Sequence, residues 1–226
     1  MILVCYTSFC RKSPYDVGPR TTASAAADAK AFLTQILLSY TRGKKRLFWA
    51  LYRIGRVRKI LDRTNTERLI HAFVSSRLDY CNSMLHMIDS KLSNRLQLLQ
   101  NSAARLVTLT KKHEHITPVL FNLHWLPIYQ RCKFKILLLT FKILHGKAPI
   151  YLSELITLSV PVAGLRSGDE IRFDESRYPC KTYNRRAFSI AAPELWNALP
   201  PHIRALPTLS AFKSALKTHL FRQHFH

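Results

Sequence analysis

The chain has 226 residues, 47% of them hydrophobic, which is material for one core of ordinary size and excludes wholesale disorder. Its 35 Lys+Arg against 13 Asp+Glu give a formal net charge of +22 and a sequence pI near 10.3. An excess of that size repels itself unless a polyanion neutralises it, so RNA or DNA, contacted through its backbone, is the expected partner, ahead of a membrane surface or a small-molecule substrate.

The N-terminus, MILVCYTSFCRKSP, places its positive charge after the apolar run, the wrong order for a secretory signal, and the stretch to Lys30 only weakly imitates a mitochondrial presequence. Cys5, Cys10, Cys81, Cys132 and Cys180 form no CxxC pair, and an odd count fits reduced thiols. An intracellular location, nuclear or cytoplasmic, is therefore expected. Residues 1–43 differ in character from the rest of the chain and are expected to be an unmatched leader, disordered or folded as one Ala-rich helix beginning near Ser24.

A basic amphipathic helix is predicted over Lys44 to Leu61, with Leu47, Leu51, Ile54 and Leu61 as its apolar stripe and no acidic residue. Thr64 and Glu67 form a capping-box pattern that opens a second helix to about Tyr80, burying Leu69, Ile70, Phe73, Val74 and Leu78. A third helix, Ser90 to Thr108, carries Leu92, Leu96, Leu99, Ala103 and Leu106 on one face. The longest apolar stretch comes next. Pro127 fits a first helical position, Gly146 supplies a stop and Pro149 forbids continuation. Between them Ile128, Cys132, Ile136, Leu139 and Ile143 recur at helical spacing, with Phe134, Leu137, Leu138, Phe141 and Leu144 widening the arc. Such a helix must be mostly buried, leaving Arg131, Lys135 and Lys142 as one basic edge. Short links between these helices imply antiparallel neighbours, so 44–158 reads as a helical bundle.

Pro149 to Thr157 fits one short helix. The texture then changes: Gly164, Gly168 and Pro179 punctuate short runs from Val160 to Ala192, and a small β element is expected there. PELWNALPPHIRALP carries too many prolines for a long helix, and Trp196 is expected to plug it onto the bundle. Thr208 to Phe221 is the last predicted helix, with Leu209, Phe212, Leu216 and Leu220 in register. The fold class expected is mainly α: a helical bundle over 44–158, then a C-terminal segment, 159–226, with short strands and a final helix. No run approaches the ~20 apolar residues of a membrane span.

Few residues offer chemistry. His113, Glu114 and His115 suggest a metal, but histidines two apart point to different faces of a helix and no third ligand stands at a recognised spacing. Asp169, Glu170, Asp174 and Glu175 are the one acidic cluster, read as an exposed turn offsetting Arg166, Arg172 and Arg177. Ser76, Ser83 and Ser189 lack a nucleophile-elbow context. Trp125 and Trp196 sit in Leu-rich settings and read as core anchors rather than base-stacking platforms. The helix from Lys44 is the strongest functional surface, because Lys45, Arg53, Arg56 and Lys59 interleave with Phe48, Trp49 and Tyr52. Lys91, Arg95, Arg105, Lys111 and Lys112 form a second candidate set, Arg131, Lys135 and Lys142 a third. Lys181, Arg185 and Arg186 form the last, with Lys213, Lys217 and Arg222 at the end of the chain.

Several blocks in fixed order carry a resemblance: ERLIHAFVSSRLDYCNSML, NRLQLLQNSAARLVT, HITPVLFNLHWLP with FKILLLTFKILHGKAPIYL, YLSELI, RRAFSIAAPELWNALPPHIR and TLSAFKSALKTHLF. Together, from about Lys44 to Phe225, they resemble the region downstream of the polymerase core in LINE-type, jockey-like non-LTR retrotransposon reverse transcriptases. The resemblance implies a thumb-like helical region that grips a template–primer duplex and helps hold element RNA. It does not imply catalysis. A reverse transcriptase needs paired aspartates to hold two divalent cations about 4 Å apart, and this sequence contains no Asp-Asp pair and no recognisable endonuclease constellation. The expected function is a non-catalytic, non-specific RNA or DNA backbone binder with no cofactor and no bound metal. The alternatives are a helical structural or interaction protein, or a relic open reading frame with no cellular role.

Overall fold

A computed structural model describes residues 46–80, 82–159, 171–175 and 187–225. The predicted leader and most of the predicted β texture lie outside them. The described chain is mainly helical. Helix α1 covers 46–57, α2 is Arg63–Ile70 continued by a π turn at His71–Ser75 and by Ser76–Leu78, and α3 is Ser90–Thr108. A 3₁₀ turn at Asn82–Leu85 precedes α3. Then come α4 (Ile116–Asn122), α5 (Ile128–Leu144), α6 (Ile150–Ser153), α7 (Phe188–Asn197), α8 (Pro201–Arg204) and α9 (Leu209–Phe225).

By contacts, the described residues up to Arg77 together with Leu99–Glu114 form one compact unit. Leu78–Leu98 and the described residues from His115 onward form a second, so α3 contributes to both.

In the first unit α1 buries Leu47, Leu51 and Ile54, as their spacing predicts, while Leu61 is only half-buried. Gly55 of α1 faces Leu106 of α3, where a Cβ would lie 3.7 Å from Leu106 Cδ1, an ordinary van der Waals contact. The N-cap of α2 is Asp62, whose carboxylate accepts from the Asn65 amide at 3.2 Å, and not Thr64. Asp62 also accepts the Thr66 hydroxyl on its carbonyl at 2.8 Å, which sets the first turn two residues earlier than the Thr64–Glu67 pattern predicts. Phe73 is a second correction. It is half exposed, whereas Ile70 and Val74 are buried. A π turn holds more residues than an α turn, so Val74 comes back over Ile70 while Phe73 stops short of the buried stripe.

In the second unit α5 is the hub, touching the 3₁₀ turn, α6, α7 and α9. Pro127 is its N-cap, one position outside the predicted one, and having no capping side chain it leaves the Ile128 N–H to donate to Gln97 Oε1 at 3.0 Å. At the other end Gly146 takes φ +62°, and the amides of Gly146 and Lys147 reach back to the carbonyls of Ile143 and Lys142 at 3.1 and 2.8 Å. That is the Schellman closure which glycine permits without a Cβ clash. Phe141, Phe212 and Trp196 form the centre of the core, with ring centroids 4.3 Å apart for Phe141–Phe212 and 5.7 Å for Trp196–Phe212.

The largest correction is α7. The sequence reads as irregular or β up to Ala192, yet the chain is helical from Phe188 with Pro193 inside the helix. Proline removes one internal hydrogen bond. Burial of Phe188, Ala191, Ala192 and Trp196 on one face offsets that loss. Trp196 does anchor the segment, as expected, and its Nε1–H donates to the Ile171 carbonyl at 3.1 Å. No strand occurs among the described residues. What occurs is a single antiparallel bridge, Leu158 to Phe173. The last helix runs four residues beyond the predicted end, to Phe225.

Candidate nucleic-acid interface

Burial of Leu47, Leu51 and Ile54 turns the opposite side of α1 outward. Arg46, Trp49, Tyr52, Arg53 and Arg56 are all exposed on α1, Trp49 by 61% and Tyr52 by 59%, and Lys59 is exposed in the turn that follows. Phe48, 51% exposed, flanks them. The Arg53 guanidinium lies 6.0 Å from the centre of the Trp49 ring, and Tyr52 meets that ring edge-on at 5.8 Å. Such an arrangement offers flat π faces beside fixed positive charge, the pairing that stacks bases and neutralises phosphates. Lys45 lies outside the described residues.

Arg58, on the same segment, does something else. Its Nε and one terminal nitrogen donate to the carbonyls of Leu106 and Val107, both at 3.0 Å, and the other terminal nitrogen donates to the Leu61 carbonyl at 2.7 Å. It thereby satisfies carbonyls in the last turn of α3, where a helix has no amides left to offer. Arg105 is likewise a structural cation. Its guanidinium donates to the carbonyls of Lys111 and Glu114 and shapes the loop after α3. Lys111 and Lys112 on that loop are exposed, as are His113, Glu114 and His115.

In the second unit Lys91 and Arg95 are exposed on the first half of α3. The predicted basic edge of α5 is not uniform. Arg131 is turned to the Asp79 carboxylate at 3.3 Å with 20% of its side chain accessible, Lys142 is half-buried, and Lys135 is exposed. Helical spacing put the three on one sector; Asp79 then took one of them. Beside that pair, burial and the Asp79 charge push the Cys132 thiol up to about 12, with Arg131 pulling the other way. Lys213, Lys217 and Arg222 are exposed along α9. Lys181, Arg185 and Arg186 lie outside the described residues, as do Asp169, Glu170, Arg166 and Arg177.

Trp125 and Trp196 are buried and act as core anchors. Asn197, which no sequence pattern singles out, accepts the Phe173 N–H on Oδ1 at 3.1 Å and donates to the Phe173 carbonyl at 2.9 Å and to Glu175 Oε1 at 2.8 Å. It holds the 171–175 segment as a neighbouring strand would. Among the described residues no three His, Cys, Asp or Glu side chains gather as metal ligands, and no helix is long and apolar enough to cross a membrane. Comparison with protein families, curated proteins and solved structures finds no match to this chain.

Proposed function

We propose that this chain is a thumb-like and post-palm region of a LINE-type reverse transcriptase, acting as a non-catalytic, non-specific binder of RNA or DNA backbone. One observation carries the binding claim: the outward side of α1 and the turn after it, where Arg46, Arg53, Arg56 and Lys59 are exposed together with Trp49 and Tyr52 and no acidic residue occurs from Lys44 to Leu61. The family assignment is supported by the ordered sequence blocks. The small β element belongs to the same reading, and its support is the Leu158–Phe173 bridge with the Ser159 and Asp174 amides donating across it at 2.9 Å.

Affinity built on phosphate contacts falls steeply with salt, because each neutralised phosphate releases counterions. The test is binding of the full chain to short RNA and duplex DNA across a salt series, with Arg53→Ala, Arg56→Ala and Lys59→Ala combined as the comparison. The triple variant should bind more weakly and lower the magnitude of the log–log salt slope by about three for a duplex. A second reading, a helical scaffold that docks an acidic protein, is favoured by the structural use of Arg58, Arg105 and Arg131, which leaves fewer cations for a polyanion. Binding that ignores salt would favour it.

A further inference from the structure

A second cluster of aromatic side chains stands at the far end of the chain, within the second unit. Phe121 of α4 meets Phe221 and Phe225 of α9 at 5.2 and 5.7 Å, and Phe221 and Phe225 lie 4.5 Å apart. The His124 ring lies nearly parallel to Phe221, 5.7 Å away at 16°. These rings are not sealed in the core: Phe121 is 40% exposed, His124 is exposed, and Phe221 and Phe225 are half-buried.

His124 is there at a conformational cost. It ends α4 with φ +54°, the position where a helix ordinarily places glycine, while its amide bonds the Phe121 carbonyl and the Trp125 amide bonds the Leu120 carbonyl, both at 3.0 Å. The charge carried by α9 has one sign. Glu194 is the last acidic residue of the sequence, and Lys213, Lys217 and Arg222 are exposed on α9. Lys217 stands one turn before Phe221 and Arg222 three residues before Phe225, so both flank the rings.

We propose that His124, Phe121, Phe221 and Phe225 form a stacking platform for the unpaired bases of a single-stranded nucleic acid, with Lys217 and Arg222 on its phosphates. Stacking needs an exposed base face, which a duplex does not present, and it does not read the sugar. The platform is built from other helices than α1 and does not depend on the backbone contacts proposed there.

The test compares binding of the full chain to a short oligothymidylate and to an abasic strand of equal length, which has the same phosphates and no bases. The intact protein should prefer the base-bearing strand by about tenfold for one stacked base. In a Trp49→Ala background, which removes the α1 stacking face, His124→Gly should abolish most of the remaining preference while leaving affinity for the abasic strand unchanged. Its thermal midpoint should stay or rise, since glycine is relaxed at this φ. Arg53→Ala with Arg56→Ala should weaken both strands alike and keep the preference, so failure of the α1 reading is seen separately. The proposal is overturned if the intact protein shows no preference, if Trp49→Ala alone removes it, or if His124→Gly leaves it unchanged in the Trp49→Ala background.

Discussion

Arg53, Arg56 and Arg58 occur within six positions of one another, and their side chains have opposite fates. Arg53 and Arg56 are exposed, whereas Arg58 donates to three backbone carbonyls. Bonds from a charged group to otherwise unsatisfied carbonyls are the stronger kind, so Arg58→Met should cost about 2–3 kcal/mol in a urea titration. Arg53→Met should stay within about 0.5 kcal/mol. Cys132 gives a chemical counterpart. With its thiol pushed up to about 12, mainly by burial, almost no thiolate exists at neutral pH. Peptide mapping after alkylation at about pH 8 should find Cys132 unmodified in the native protein and modified once urea unfolds it. His219 titrates in the opposite sense, since burial and the neighbouring His202 lower it below its ordinary 6.5. A lowered histidine contributes stability that is complete above pH 6.5 and declines as acid drives protonation towards the lowered value. His219→Gln should flatten that acid-side decline in thermal midpoint; an unchanged decline would place its origin elsewhere.

Among the helices, α5 was legible because its signals are local: a proline before it, a glycine at φ +62° after it, and an apolar arc between. Helix α9 was legible for the same reason, with Phe212, Leu216 and Leu220 buried in register. What the sequence hid depended on partners distant along the chain. Helix α7 carries Pro193, ordinarily a stop, and is held by contacts of Trp196 and Asn197 with 171–175 that no local pattern encodes. The π turn in α2 has no residue signature, so the exposure of Phe73 could not be read. Of the candidate site, α1 was legible through its one-sided apolar stripe. The fate of Arg131 was not, because Asp79 stands more than fifty positions away. Trp196→Ala tests the α7 account: loss of a fully buried ring that also donates a hydrogen bond should cost about 3–5 kcal/mol. A cost below about 1 kcal/mol would mean that α7 is not anchored through this ring.

At the scale of the molecule the formal charge of +22 motivates the proposed polyanionic partner, and the fold divides the cations between structural and surface positions. Arg58, Arg105 and Arg131 hold structure, while Arg53, Arg56, Lys59, Lys91, Arg95 and Lys135 remain at the surface in exposed positions. The most direct test of the central claim is fluorescence anisotropy of the full chain with a labelled short RNA and a labelled duplex, between about 50 mM and 200 mM salt. The account predicts a steep, near-linear fall in log affinity with log salt that becomes shallower when Arg53, Arg56 and Lys59 are replaced together. No binding at the lowest salt, or a slope unchanged by that replacement, would contradict it.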